Sequence, residues 1–254
     1  GRLFRQGPKE EMLTSENISS LYGCTLHVER NSGRFGLSQG MDGSEEAPSV
    51  SLVGNPQPEA PASLIVMKDT TIRYGQFTAL ERLNWVMGKG ENWAILGPNG
   101  SGKSTLLKLI LGDHLQAYAN EIILFGRPKG SGETLWEIKK RIGVVSSELQ
   151  VQYRKKMSAY DVIASGFYDS IGLYQSPTPE QKEAADRWVE LLRIEDISQE
   201  PYPHLSYGQR RLILLARAMV KSPVLLIVDE PCHGLDIPNR IRILGILEKI
   251  GRTR

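Results

Sequence analysis

Short apolar runs alternate along the chain with longer stretches whose apolar residues recur at helical spacing. Leu64-Ile65-Val66-Met67 has strand length, Thr70 to Tyr74 and Asn84 to Met87 are further strand candidates, and Trp93-Ala94-Ile95-Leu96 reads as a buried strand. A glycine-rich stretch follows, then a helix carrying Leu106, Leu107, Leu109, Ile110 and Leu111. Glu121 to Gly126 predicts a strand ending in a turn, and Ile142 to Val145 another strand. Residues 158–192 read as helical, broken in two at Pro177 and Pro179. Residues 208–221 predict a helix with Leu212, Leu215, Ala216 and Met219 on one side. Val224 to Val228 is a wholly apolar strand, and a last helix over 238–250 starts behind Pro238. Alternating strands and helices, with strands apolar throughout, predict an α/β fold whose sheet is mainly parallel and covered on both faces.

Composition adds exclusions. The 254 residues hold 31 basic and 29 acidic side chains, a net charge of +2. Such a balance gives no general attraction to nucleic acid or acidic lipid. Two cysteines, Cys24 and Cys232, are too few for a disulfide framework and suit a reducing compartment. No apolar run approaches the roughly 18–20 residues of a membrane-spanning helix. The charge is unevenly placed, since residues 1–63 carry five basic and eight acidic side chains and the remainder is net positive. Ser44 to Pro61 contains Pro48, Pro56, Pro58 and Pro61 and reads as an extended linker, with a domain boundary near residue 62.

Gly97-Pro98-Asn99-Gly100-Ser101-Gly102-Lys103-Ser104 fits the pattern G-x-x-x-x-G-K-[ST], between a predicted strand and a predicted helix. Glycines at this spacing let successive backbone N–H groups turn inward around phosphate oxygens, and the helix N-terminus adds partial positive charge. In this role Lys103 reaches the outer phosphates of ATP, the Ser104 hydroxyl ligates Mg²⁺, and Thr105 continues the nucleotide-binding set. A second strand, Leu225 to Val228, ends in Asp229 and Glu230. Asp229 is the second Mg²⁺ residue, directly or through water, and Glu230 the general base for the attacking water.

Leu205-Ser206-Tyr207-Gly208-Gln209 lies about twenty residues before the acidic pair and resembles the LSGGQ signature of ATP-binding-cassette (ABC) ATPases. The ordered set of Tyr74, the phosphate loop, the signature, the acidic strand and Gly234-Leu235-Asp236 resembles that family over residues 64–254. The resemblance implies a P-loop NTPase with a mainly parallel core sheet, an antiparallel β edge and a helical subdomain bearing the signature. It implies two cassettes that sandwich two ATP molecules. Ser206, Gly208 and Gln209 would then contact nucleotide held by the partner cassette, and Tyr74 would stack on adenine, although a lone tyrosine at a strand end is more often a packed core residue. Asp236 resembles the aspartate that links the two sites, and an N-cap role fits it equally. Integral-membrane permease subunits are the family's other partners. They would place the chain in the cytoplasm, at the inner face of the membrane.

Two departures stand out. Where the family carries a glutamine after the strand at 142–145, this chain has Ser147, with Glu148 beside it and Gln150 further on. A serine hydroxyl cannot reach as far as a glutamine amide. The family's switch histidine is also absent: His27, His114, His204 and His233 all lie elsewhere, so 62–254 reads as a cassette cut before that residue. Val144 to Ser147 together with Ser165 to Tyr174 is similar to the second cassette of tandem molybdate-transport-associated, or photorepair, ATP-binding proteins, where serine at this position and an aromatic in the signature are usual.

Residues 1–43 are too few for a stable domain. Gly1 to Gln6 reads as a strand running into a turn at Gly7-Pro8. Thr14 or Ser15 caps a short helix through Leu21 closed by Gly23, and Leu26-His27-Val28 alternates like a strand. The segment resembles the tail of iron-siderophore and haem importer cassettes, through Gly1, Arg2, Gly7, Glu11, Leu13, Thr14, Tyr22 and Gly23. A solvated extension is the alternative. Residues 1–43 are therefore read as the end of a first cassette, 44–61 as the linker and 62–254 as a second cassette. Three functions fit: an ATPase that energises transport through membrane subunits, a translation-type factor, or a slow cytosolic nucleotide switch. The short, proline-rich linker argues against the second, which needs a long charged helical arm.

Overall fold

The computed structural model describes residues 5–12, 14, 17, 29–31, 34–36, 61–153 and 157–252. The chain divides into two compact units, residues 1–45 with 60–135, and residues 46–59 with 136–254.

The first unit holds β1 (Arg5–Pro8), the helical turn α1 (Lys9–Met12), β2 (Glu29–Asn31), β3 (Arg34–Gly36), β4 (Ser63–Tyr74), β5 (Phe77–Gly88), β6 (Trp93–Leu96), α2 (Lys103–Ile110), β7 (Glu121–Leu124) and β8 (Arg127–Pro128). Four strands form an antiparallel sheet in the order β5-β4-β7-β8. The two short strands expected at 64–67 and 70–74 are one strand. Asp69 takes a left-handed conformation (φ 45°) and the pairing with β5 slips between Met67 and Thr70. Such a bulge absorbs one misaligned residue and lets the ladder resume. Leu64, Ile65, Met67, Ile72, Leu80 and Trp85 are buried, as are Leu106, Leu109 and Ile110 on one side of α2.

β6 corrects an expectation. It is half-buried at all four positions rather than buried. Among the described strands it pairs only with β1, antiparallel, with Arg5 opposite Leu96 and Pro8 opposite Trp93. A strand bonded along one edge is not enclosed as a central strand is. Thr14 Oγ1 accepts from the Asn17 amide at 3.2 Å, a capping contact of the kind expected, while Ser15 lies outside the described residues. The expected helix on to Leu21, its stop at Gly23, the strand Leu26 to Val28 and the linker up to residue 60 lie outside the described residues.

The second unit holds all but the first residue of α3 (Leu135–Lys140), then β9 (Ile142–Val145), α4 (Ser147–Gln152), α5 (Ala159–Ala164), α6 (Pro179–Leu192), α7 (Tyr207–Met219), β10 (Leu225–Val228) and α8 (Ile237–Arg252). β9 and β10 run parallel in register, Leu225 opposite Ile142 and Val228 opposite Val145. The expected parallel character is confined to this pair among the described strands; every other ladder is antiparallel. The class is therefore mixed α/β.

α7 is the centre of the second core. Leu212, Leu215, Ala216 and Met219 were expected to bury one side, yet every residue from Arg211 to Met219 is buried. Val162 and Ile163 of α5, Trp188 and Leu192 of α6, and Ile243 and Ile246 of α8 belong to the same cluster. Helices on several sides leave α7 no solvent stripe, so its periodicity understated its burial. Glycines permit the tightest contacts. A Cβ on Gly166 would lie 2.1 Å from the Arg217 carbonyl oxygen, and one on Gly143 2.5 Å from that of Ala218. Gly166→Ala is expected to lower unfolding free energy by about 2–3 kcal/mol through overpacking, read as a lower urea midpoint at unchanged slope.

Candidate functional site

The phosphate loop leaves β6 at Gly97 and enters α2 at Lys103. The Ser101 amide donates to the Pro98 carbonyl at 3.2 Å, and Gly100 sits at φ +79° with open space around it. Gly102 caps α2 at φ +91°, and a Cβ there would stand 2.5 Å from the Ala79 carbonyl oxygen and 2.9 Å from Leu80 Cδ2 on β5. Only glycine meets both demands. The Lys103 ammonium donates to the carbonyls of Gly97 at 2.7 Å and Pro98 at 2.9 Å, so it lies across the loop. Pro98, Asn99, Gly100 and Ser104 are exposed.

Two observations show that the loop fits an oxyanion. α2 starts without a side-chain cap and without an acidic residue in its first turn, so its N-terminal amides keep their partial positive charge. The Ser101 hydroxyl is buried with no hydrogen-bond partner. A phosphate oxygen would satisfy both.

Tyr74 lies at the β4–β5 turn, half exposed. Its hydroxyl is 2.8 Å from His114 Nε2 and 3.4 Å from Thr105 Oγ1. Thr105, counted with the nucleotide loop on sequence, thus turns its hydroxyl toward Tyr74. Sequence reasoning missed His114. A histidine four residues after the loop helix was the available signal.

In the second unit the Asp229 amide donates to the Val145 carbonyl at 2.8 Å, so the parallel ladder runs to the acidic pair. Asp229 is half-buried. Glu230 is exposed and holds φ 49°, a left-handed conformation that carries strain in a residue with a Cβ. His233 Nδ1 stands 3.8 Å from Glu230 Oε2, and the His233 amide closes the turn on the Glu230 carbonyl at 3.1 Å. Burial pushes the Cys232 thiol above its ordinary value, which keeps it protonated and a poor nucleophile.

Ser206 is the N-cap of α7. Its hydroxyl accepts from the Gln209 amide at 3.2 Å, and Gln209 Oε1 accepts from the Ser206 amide at 2.8 Å. The signature's serine and glutamine are thus spent on a capping box. A Cβ on Gly208 would meet the Asn239 side chain at 2.6 Å, and one on Gly234 the Tyr207 ring at 3.1 Å. Asp236 Oδ1 accepts from the Asn239 amide at 3.1 Å, so the capping role expected as an alternative is present.

Ser147 is held from within. Its hydroxyl lies 3.0 Å from Arg211 Nη2, which is also 3.4 Å from the Tyr207 hydroxyl. Arg211 is fully buried, and its Nε and Nη1 have no hydrogen-bond partner. It was not singled out on sequence. The available signal was its position one helical turn after Tyr207, at the start of the apolar run Leu212 to Leu215.

The chain belongs to the ABC transporter family, whose model matches residues 80–233. It is similar to the ABC transporter ATP-binding protein ModF of Escherichia coli (strain K12), at 44% identity over 221 residues, covering 83% of this chain and 45% of that protein. The chain therefore spans about half the length of that relative. It is 34% identical to the zinc uptake system ATP-binding protein ZurA of Listeria innocua, covering 75% of this chain and 72% of that protein. Among solved structures it resembles cbiO1 from Clostridium perfringens, part of the ABC transporter complex cbiONQ, with TM-score 0.64 and 26% identity over 76% of this chain and 75% of that one. A putative metal-chelate type ABC transporter in an inward-facing conformation aligns with TM-score 0.57 and 27% identity, over 76% and 70% of the two chains.

Gly102→Ala is expected to abolish ATP binding, because the new methyl group pushes the loop off β5 and cannot hold φ +91°. Fluorescent-nucleotide titration reads the loss, and an unchanged far-ultraviolet circular dichroism spectrum shows the fold intact.

Proposed function

We propose that this chain is the ATP-binding and ATP-hydrolysing cassette of a tandem-cassette protein in a transport system. The observation that carries the reading is the uncapped, glycine-seated phosphate loop with a buried, unpaired Ser101 hydroxyl. Support for the tandem arrangement comes from the match to the E. coli relative. It covers 83% of the chain, more than the three quarters that residues 62–254 make up, so it reaches into the segment before the boundary. On this reading residues 1–43 are the tail of a first cassette, 44–61 the linker and 62–254 the second cassette, with a core sheet that is mainly parallel.

Backbone amides of residues 97–104, with Lys103, hold the phosphates, and Tyr74 stacks on adenine. Among the described residues there is no group of three or more His, Cys, Asp or Glu that could cage a metal. The Ser104 hydroxyl and Asp229 are the residues that would hold Mg²⁺, together with nucleotide oxygens, in keeping with this ion's preference for few protein ligands. When bound it neutralises developing charge on the phosphates. Glu230 takes the proton of the attacking water as general base. Ser206, Gly208 and Gln209 present the N-terminus of α7 to nucleotide held by a second cassette, with Asp236 beside them. Permease subunits are the proposed membrane partners, and no nucleic acid takes part. Among the described residues no helix is long and apolar enough to cross a membrane. The proposed cassette is cytoplasmic and docks at the inner face through those permease subunits.

One observation favours a second reading, a slow nucleotide switch without a permease. Ser147 is turned inward onto Arg211 rather than outward.

Lys103→Ala is expected to weaken ATP binding at least about 100-fold, as loss of a charge-assisted phosphate contact allows. Glu230→Gln in the full-length protein is expected to keep ATP bound while turnover falls at least about 100-fold, on the scale of a lost general base. Equilibrium binding and single-turnover assays measure both. Retained affinity in Lys103→Ala, or unchanged turnover in Glu230→Gln, overturns the reading. Purification of the Glu230→Gln protein with or without membrane subunits separates the two functions.

A further inference from the structure

The turn that presents Tyr74 is gripped by side chains from a segment outside every nucleotide motif. Residues 115–119 form a single 3₁₀ turn between α2 and β7, with His114 before it and Asn120 after. Asn120 Oδ1 accepts from the Thr71 amide at 2.8 Å, and its Nδ2 donates to the Thr71 carbonyl at 3.3 Å. Gln116 repeats this two residues further along β4: Oε1 accepts from the Arg73 amide at 3.0 Å and Nε2 donates to the Arg73 carbonyl at 2.6 Å. Two side-chain amides thus satisfy the edge of β4 beyond the point where its ladder with β7 ends at Lys68 and Glu121. His114 adds a third grip, on the Tyr74 hydroxyl.

The hydrogen bonds determine the direction of this grip. His114 Nδ1 accepts from the Gln116 amide at 3.2 Å, so Nδ1 carries no proton. The neutral ring then holds its proton on Nε2 and donates it to the Tyr74 oxygen. The Tyr74 hydroxyl keeps its own proton and lies 3.4 Å from Thr105 Oγ1, in the first turn of the phosphate-loop helix. The rings of Tyr74 and His114 meet edge to face, with centroids 5.5 Å apart. The tyrosine is pinned at its backbone by the strand and at its hydroxyl by His114 and Thr105, while its ring remains half exposed.

We propose that His114 is a positioning residue for nucleotide recognition, which locks the Tyr74 ring as a preformed platform for adenine. The inference rests on the adenine role given to Tyr74 above. A ring already immobilised loses no rotamer freedom when the base stacks on it, an advantage of roughly 3–10-fold in affinity. Inorganic tripolyphosphate has no base and draws on the phosphate loop alone.

The test compares binding of MgATP and of inorganic tripolyphosphate to the full chain by competition against a fluorescent nucleotide. His114→Ala is expected to weaken ATP roughly 3–10-fold and to leave tripolyphosphate within about twofold. Tyr74→Phe, which keeps the ring and removes the tethered hydroxyl, is expected to do the same, and the double variant is expected to show no further loss. Tyr74→Phe also stands in should His114→Ala fail to fold. If Tyr74→Ala weakens ATP while His114→Ala and Tyr74→Phe do not, the positioning role is overturned and the adenine role survives. Unchanged ATP binding in Tyr74→Ala overturns both. Equal loss of ATP and tripolyphosphate in His114→Ala overturns the inference in favour of a general structural role.

Discussion

The absence of a side chain at Gly102 is the constraint on which the nucleotide loop depends. The loop must turn through a left-handed residue and seat the first turn of its helix against the backbone of β5, and the space left for a Cβ is 2.5 Å from a carbonyl oxygen. Once seated, the helix N-terminus cannot be capped from within the loop, because glycine has no side chain to offer. The same residue that permits the packing therefore leaves the amides open for an anion. Lys103 and the buried Ser101 hydroxyl complete a surface whose polar groups are oriented before any phosphate arrives.

In the second unit, α7 has a comparable role. Its capping box fixes where the helix begins, and contacts made in its first two turns reach three residues elsewhere in the unit. Tyr207 lies against Gly234, Gly208 against Asn239, and Arg211 bonds Ser147. A buried guanidinium with two unpaired nitrogens is costly in isolation. Here its one well-placed nitrogen reaches both Ser147, two residues beyond β9, and the aromatic of the signature. A shift of the α7 N-terminus would disturb all three neighbours together.

Much was legible in the sequence because it depends on local order. The phosphate loop, the acidic strand end and the signature are each defined by residues adjacent in the chain. Periodicity located α2, α6, α7, α8, β9 and β10, and each is present within a few residues of its expected bounds. Several errors share one cause. The bulge at Asp69, the half-exposed state of β6 and the all-round burial of α7 are set by which elements become neighbours. Strand pairing carries no mark in four apolar residues, so the one parallel ladder among the described strands could not be told from the antiparallel ones.

His114, Gln116, Asn120, Arg211 and Asn239 belong to no motif, and their partners lie tens of residues away or on another element. Their immediate sequence does little to separate them from surface polar residues. By itself the sequence determined the chemistry of the loop, because glycine spacing, a lysine and a hydroxyl act through the backbone geometry of contiguous residues. Only the tertiary structure decided what holds Tyr74 and Ser147, since a hydrogen bond of about 3 Å between distant residues exists only once packing has brought them together.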